Sequence, residues 1–213
     1  MLTLKNIKPL PLLKDGLDGS SQVWDKTLQF KTPDHYLITA ASGRGKSTFI
    51  HLLYGLRSDF EGQFLIDEKD SKQFSRQAWS QYRRDKIAIV FQDLRLFPKL
   101  SARENILLNA QLQNKVTMPE IEAMAERLGI TPLLDQASET LSYGQAQRVA
   151  IIRALCQDFE YLLLDEPFSH LDEKNIALAS ALIKEVCQKQ KASLILVSLG
   201  PSYLFDYQHQ WTL

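Results

Sequence analysis

The sequence is poor in cysteine and has no excess of charge of either sign. Its two cysteines, Cys156 and Cys187, lie far apart and match no metal-binding spacing, so we expect reduced thiols that pack in the interior. The 25 basic and 25 acidic side chains give a formal net charge of zero. Because this balance lacks the basic excess typical of nucleic-acid binding, we predict no nucleic-acid partner.

Long apolar runs are missing as well. No window approaches the roughly 20 apolar residues that a membrane-spanning helix needs. Residues 1–16 have no basic head followed by a long apolar stretch, so we expect no signal peptide. If the protein works at a membrane, another polypeptide has to supply the spanning segments. With 45% hydrophobic residues, the chain can bury the core of one α/β domain.

The sequence does contain a regular alternation of short apolar runs and helical patterns. Apolar runs predict buried strands at 36–39, 87–91, 161–164 and 194–197. Helical spacing of apolar residues predicts helices at 47–56, 143–155 and about 173–190. The short apolar stretches of residues 1–39 predict antiparallel strands and turns. The alternation indicates an α/β fold with a parallel sheet covered on both faces.

One loop carries the pattern of a phosphate-binding site. It follows the strand at 36–39, and its residues at 40–48 read AASGRGKST. Glycines let successive backbone N–H groups curl around phosphate oxygens, and the following helix N-terminus adds positive potential. We expect Lys46 to bridge the β- and γ-phosphates and the Ser47 hydroxyl to ligate Mg²⁺. The predicted nucleotide-binding residues of this loop are Ser42, Gly43, Arg44, Gly45, Lys46, Ser47 and Thr48.

The first position of the loop departs from the pattern G-x-x-x-x-G-K-[ST]. Ala40 stands where that pattern has glycine. If the backbone there needs a positive φ, alanine costs on the order of 1 kcal/mol, and if φ is negative it costs little. The sequence leaves both alternatives open.

Four further motifs narrow the choice among phosphate-loop proteins. They are VFQD at 90–93, LSYGQ at 141–145, YLLLDEP at 161–167 and SHLD at 169–172. In that order they resemble the Q-loop, the LSGGQ signature, the Walker B strand with its catalytic glutamate and the D-loop of ATP-binding-cassette (ABC) ATPases. On these motifs, nearly the whole chain resembles the ATPase subunit of a bacterial ABC transporter.

The resemblance implies an architecture and an assembly. The fold is expected to be a P-loop NTPase sheet with an N-terminal antiparallel β part and an inserted helical subdomain at about 93–157, all in one domain over 1–213. Two copies are expected to pair head to tail, with each ATP between the phosphate loop of one and the signature helix of the other. The residues that this places at ATP are Ser142, Gly144, Gln145 and Asp172. Ser142 is also a natural N-cap, and the two roles are compatible.

Residues at the ends of two predicted strands have chemical reasons to act on ATP. Asp165 ends an apolar strand at the carboxyl edge of the sheet, where it can hold Mg²⁺ through its water shell. Glu166 follows it and can polarise the attacking water. Gln92 also follows a strand; taken alone it is more often an ordinary polar loop residue, but the resemblance implies that it senses Mg²⁺ and the γ-phosphate. The predicted catalytic residues are Glu166, Gln92 and Lys46, and the predicted metal ligands are Ser47, Gln92 and Asp165.

Two positions depart from the family pattern in ways that bear on chemistry. Leu199 stands where the family has a switch histidine, two residues after the strand at 194–197. His51 and His170 cannot be aligned there, and we expect them to be surface or packing residues. Leucine offers no hydrogen-bond donor, so we expect slow hydrolysis. Tyr143 replaces a glycine of the signature, and we expect its ring to turn outward.

The residue that stacks on adenine is left open. The family's aromatic position falls near Leu10 or Pro11, and neither is aromatic. Trp24 or Trp79 is the alternative, although a buried tryptophan is more often a core residue.

The implied function is the ATP-binding and ATP-hydrolysing subunit of an ABC transporter, with ATP and Mg²⁺ as cofactors. Its expected partners are a second ATPase subunit and an integral membrane permease, at the cytoplasmic face of the inner membrane. One alternative is a nucleotide-gated cassette with weak hydrolysis, which Leu199 favours and Glu166 and Lys46 oppose. The other is a non-transport ABC ATPase, which the single cassette and zero net charge argue against. The residues do not indicate the transported substrate or the direction of transport.

Overall fold

The computed structural model describes residues 1–13, 16–17, 19–113, 115–200 and 202–213. In chain order, its strands and α-helices are β1 (Leu2–Pro9), α1 (Leu10–Leu13), β2 (Thr27–Phe30), β3 (Tyr36–Thr39), α2 (Lys46–Leu53), β4 (Phe60–Ile66), β5 (Lys69–Asp70), α3 (Arg76–Asp85), β6 (Ile87–Val90), α4 (Ala102–Gln113), α5 (Met118–Arg127), α6 (Tyr143–Leu155), β7 (Tyr161–Asp165), α7 (Glu173–Gln190), β8 (Ser193–Ser198) and β9 (His209–Thr212).

The strands form two sheets. The first is antiparallel and has the order β2-β1-β4-β5. The second is parallel and has the order β6-β7-β8-β3-β9. The predicted α/β class and the antiparallel N-terminal part are confirmed. Strands β4, β5 and β9 were not predicted, and they extend the two sheets.

Strands β6, β7 and β8 of the parallel sheet are buried along their whole length, as their apolar runs predicted. Alternate residues enter two different cores. Leu162 and Leu164 of β7 pack with α4 to α7 on one face. Leu163 packs with α2 and the antiparallel sheet on the other face. The sheet is therefore covered on both faces, which confirms that prediction.

Helix α2 is shorter than the predicted helix at 47–56. It ends at Leu53, and Gly55 adopts a φ of 73° just beyond it. A left-handed glycine after the last turn is a common way for a helix to stop. Helices α6 and α7 have the predicted bounds.

The chain between β6 and β7 is mainly helical, and α4, α5 and α6 supply most of one core. This agrees with the helical character expected there, while the division into a subdomain at about 93–157 stays a prediction. Cys156 and Cys187 are both buried free thiols, so the expectation that they pack in the interior is confirmed.

Among the described residues, every helix is too short or too polar to cross a bilayer.

Candidate functional site

The phosphate loop connects β3 to α2 and turns sharply at two glycines. Gly43 has a φ of 81° and Gly45 a φ of 94°, a region that only glycine occupies without strain. Ala40 lies outside that region, and its backbone N–H donates to the Ser198 carbonyl at 3.2 Å. Of the two alternatives for Ala40, the structure supports the one in which alanine costs little.

Gly45 is also a point of close approach. A β-carbon placed there would lie 2.7 Å from Leu12 Cδ1 and 3.3 Å from the ring of Trp24. Leu12 of α1 and Trp24 thus pack closely against Gly45. The ammonium of Lys46 donates to the carbonyls of Ala40 and Ala41, both at 3.2 Å. The lysine therefore lies along the loop and faces the space where phosphates are expected.

Two acidic side chains follow one another at the end of β7. Asp165 and Glu166 are 2% and 5% exposed, and one oxygen of each carboxylate has no hydrogen-bond partner. Burial, reinforced by the charge of Glu166, raises the pKa of Asp165 to about 6, against the opposing effects of Lys46 and a hydrogen bond from Ser47. Burial also raises the pKa of Glu166, against Lys46 and the backbone N–H of Leu199. Buried polar atoms without partners indicate a site for a ligand or water.

A cleft of about 300 Å³ lies in front of the phosphate loop. It brings together five segments that are far apart in the sequence. Its lining residues are Leu12, Ser42, Gly43, Gly45, Lys46, Ser47, Thr48, Gln92, Glu166 and Leu199. Asp165 directly precedes Glu166 in the chain, and Lys46 and Ser47 of this set both act to lower the pKa of its carboxyl. Arg44, which was predicted to bind the nucleotide, is exposed and does not line the cleft.

Leu12 and Leu199 complete the apolar part of the cleft. The side chain of Leu199 is 57% exposed, and its backbone N–H faces the Glu166 carboxylate. Leu12 was not predicted as a site residue, because only its contact with the loop reveals it. One feature of the sequence could have indicated Leu12: its neighbours Leu10 and Pro11 fall near the position at which the family has the adenine-stacking aromatic residue.

Neither tryptophan lines the cleft. Trp24 is 3% exposed and packs edge-on against Phe49. The ring of Trp79 packs against Gly55, Phe64 and Phe74. Trp24 is a core residue and Trp79 is a partly buried residue packed against the core, so the suggestion that either one stacks on adenine has no support in this geometry.

The predicted signature residues lie outside the cleft of their own chain. Ser142 caps α6, and it forms a reciprocal capping box with Gln145. A β-carbon on Gly144 would lie 2.7 Å from the backbone carbonyl of His170, so α6 starts directly against the loop after β7. Asp172 caps α7 by accepting from the backbone N–H of Asn175.

Tyr143 and His170 lie against each other. Their ring centroids are 4.1 Å apart, and the Tyr143 hydroxyl donates to the backbone carbonyl of Gln92 at 2.5 Å. Tyr143 is 43% exposed, so its ring faces outward only in part. His51 is partly buried near Phe91, with its pKa lowered mainly by burial. Both histidines make packing contacts, as expected.

Two buried polar side chains of α6 also hold loops at the cleft, and sequence reasoning missed both. Gln147 donates to the carbonyl of Glu166 at 3.3 Å and accepts from the backbone N–H of His170. Arg153 donates to the carbonyls of Leu94 and Arg95 at 2.6 and 2.7 Å. Burial lowers the pKa of Arg153. The sequence pattern predicted that Gln147 and Arg153 lie in a helix, but it did not indicate what their side chains contact.

Comparisons with known proteins agree with this geometry. A family model described as "ABC transporter" matches residues 25–169. The thiamine import ATP-binding protein ThiQ of Haemophilus influenzae (strain 86-028NP) is 36% identical over 180 residues, which cover 83% of this chain and 81% of ThiQ. The lipoprotein-releasing system ATP-binding protein LolD of Saccharophagus degradans is 31% identical over 198 residues, covering 90% of this chain and 87% of LolD. The dimeric structure of MJ0796, a bacterial ABC transporter cassette, superposes with a TM-score of 0.78 at 28% identity and covers 94% of this chain and 88% of that one.

Proposed function

This chain belongs to the ABC transporter family as an ATP-binding ATPase subunit, and we propose that it hydrolyses Mg-bound ATP as half of a head-to-tail dimer that powers a separate membrane permease. The observation that carries the proposal is the cleft in which the phosphate loop, Gln92 and Glu166 meet.

The phosphate loop supplies the binding contacts in this proposal. The loop amides around Gly43 and Gly45 and the N-terminus of α2 hold the phosphate oxygens. Lys46 exchanges its two carbonyl partners, Ala40 and Ala41, for the β- and γ-phosphates. Leu12 offers an apolar surface beside the loop, and in place of an aromatic ring we assign it to the nucleoside end of the cleft.

The residues next to the loop fit Mg²⁺. One buried oxygen of Asp165 has no hydrogen-bond partner, and Ser47 acts on the same carboxylate. Hard oxygen donors of this kind suit the ion. We assign Ser47 and Gln92 as direct ligands and Asp165 as a ligand through water. When bound there, Mg²⁺ neutralises negative charge on the phosphate oxygens.

Glu166 is the group we assign to activate water. Its carboxylate lines the cleft and has one oxygen without a partner, so it can accept a hydrogen bond from the attacking water. The backbone of Glu166 has a φ of 49° and is fixed by bonds to Val197 and Gln147. Gln92 approaches the same space from the end of β6. The side chain of Leu199 adds no donor, which favours slow turnover.

The dimer is supported by where the signature residues lie. Ser142, Gly144 and Gln145 are outside their own chain's cleft, so they can meet a nucleotide only if it is held by another subunit. The N-terminus of α6 carries positive potential suited to a phosphate. The related MJ0796 cassette is dimeric and has also been seen as a dimer bound to ADP and Pi.

A permease partner is supported by the kind of relatives and by one exposed side chain. ThiQ and LolD are named as ATP-binding proteins of an import system and a releasing system. Phe97 follows the Gln92 loop, is 57% exposed and is held through its backbone by buried Asn105. We assign Phe97 to the docking surface for a permease at the cytoplasmic face of the membrane. Phe97→Ser is expected to reduce co-purification of an integral membrane protein in detergent, while Leu112→Ser, an equally exposed site on α4, is not.

ATP turnover tests the assignment. Lys46→Ala is expected to abolish hydrolysis and weaken ATP binding, because it removes the cation at the phosphates. Lys99→Ala is the matched control, since Lys99 is 84% exposed and pairs with Glu139. Wild-type turnover in Lys46→Ala would refute the site.

One observation favours the alternative of a nucleotide-gated cassette, namely leucine at position 199. A measurement of steady-state ATP hydrolysis by the purified membrane complex distinguishes this alternative from a motor subunit. Turnover that accompanies transport identifies a motor, and binding without turnover identifies a gate.

A further inference from the structure

Tyr143 makes a contact that glycine, the usual residue at this position of the signature, has no atoms to make. Tyr143 is the first residue of α6, and Gln92 follows β6. The tyrosine hydroxyl donates to the Gln92 backbone carbonyl at 2.5 Å. The ring also contacts that of His170, whose Nδ1 lies 2.9 Å from the Ser169 hydroxyl. The ring is thereby fixed between two loops.

The loop that carries Gln92 depends on α6 for its shape. Leu94 and Arg95 have φ angles of 58° and 48°, which non-glycine residues seldom adopt. Arg153 binds the carbonyls of both residues, and Tyr143 binds the carbonyl of Gln92. Two side chains of one helix therefore hold three carbonyls of this loop.

The same helix also holds the other polar residue of the cleft. Gln147 donates to the carbonyl of Glu166, just as Tyr143 donates to that of Gln92. Both Gln92 and Glu166 line the phosphate cleft. These two hydrogen bonds hold the backbone from which the Gln92 and Glu166 side chains extend, and so restrict the positions that the two side chains can reach relative to each other.

We propose that Tyr143 is a positioning residue for ATP hydrolysis: its hydroxyl holds the peptide of Gln92 so that the amide side chain faces the phosphate cleft opposite Glu166. The inference rests on the proposed ATPase function. It adds a role that depends on tyrosine at this position and on this chain's own contacts.

The test removes the hydroxyl and keeps the ring. In the full chain, Tyr143→Phe is expected to lower kcat about 3- to 10-fold, the effect of losing one hydrogen bond, with the ATP dissociation constant changed less than about twofold. Tyr207→Phe is the matched control, because Tyr207 donates to the carbonyl of Ser202 outside the cleft. It is expected to leave kcat unchanged.

A double-mutant cycle separates positioning of Gln92 from a general structural effect. In a Gln92→Ala background, Tyr143→Phe is expected to have no further effect on kcat, since the side chain that it positions is gone. An equal fall in both backgrounds, or no fall in either, overturns the proposal. Lys46→Ala reports on the ATPase function separately, so failure of the assignment and failure of this inference are distinguishable.

Hydrogen–deuterium exchange gives a readout that needs no turnover. The amides of residues 92–96 are expected to exchange several-fold faster in Tyr143→Phe than in wild type or Tyr207→Phe, with thermal unfolding unchanged. Unchanged exchange in that peptide overturns the proposal even if hydrolysis is too slow to measure.

Discussion

Leu199→His is expected to accelerate ATP hydrolysis. The position follows β8, the side chain lines the cleft beside Glu166, and it is 57% exposed, so an imidazole can be accommodated without repacking the core. Its ring N–H can donate to the γ-phosphate, whereas leucine cannot. One preorganised donor at a developing charge is worth about 10² to 10³ in rate. Because this cleft was not shaped around an imidazole, we expect a gain in kcat of about 10-fold or more.

The assay is steady-state phosphate release, with nucleotide affinity measured separately. Affinity is expected to stay within about twofold, because Lys46, Ser47 and the loop amides supply the ground-state contacts. Two controls isolate the donor. Leu199→Ala changes the side chain without adding a donor, and Leu204→His adds histidine at another exposed leucine, outside the cleft. If wild type already turns over as fast as ordinary cassettes and Leu199→His changes nothing, the reasoning about this position is wrong.

Four further outcomes follow from the structure. Glu166→Gln is expected to trap an ATP-bound dimer, visible by light scattering; a monomer at saturating ATP would count against head-to-tail pairing. Gly45→Ala should lower the free energy of unfolding in urea by more than the strain of about 1–2 kcal/mol for alanine at positive φ, because its β-carbon would also crowd the buried ring of Trp24. Gly43→Ala, with open space around it, should cost the strain alone. Arg153→Leu should destabilise the fold by about 2 kcal/mol or more through two orphaned carbonyls, measured the same way. Cys156 and Cys187, whose pKa values burial raises to about 12, should resist alkylation at neutral pH until the chain is unfolded, and rapid labelling of the native protein would contradict their burial.

The fold could be predicted where the pattern of side chains is itself the cause of the structure. The apolar runs of β6, β7 and β8 are buried on both faces, so their sequence shows the burial directly. Strand β4 begins and ends with apolar residues, and its more buried residues alternate with more exposed ones. This two-residue period could have predicted the strand from the sequence. Helix α3 is largely polar, and its signal was the capping Ser75.

The site divides in the same way. The phosphate loop was predictable because its residues are consecutive and its glycines have a local conformational role. The contact of Tyr143 with Gln92 joins residues 51 positions apart and depends on how α6 packs against β6. Leu12 reaches the cleft through a short helix whose four residues carry no strong pattern. Such contacts are set by tertiary packing, and no local period encodes them.

The strand order of the parallel sheet has one further consequence. Gln92, Glu166, Leu199 and the phosphate loop follow β6, β7, β8 and β3, which are successive neighbours in that sheet. Neighbouring strands are held about 4.8 Å apart by their backbone hydrogen bonds, whatever side chains they carry. The spacing of the strands therefore sets the backbone position of each site residue along the cleft. Leucine in place of the family's histidine after β8 therefore changes the chemistry available at that position, while the phosphate loop, Gln92 and Glu166 keep their spacing.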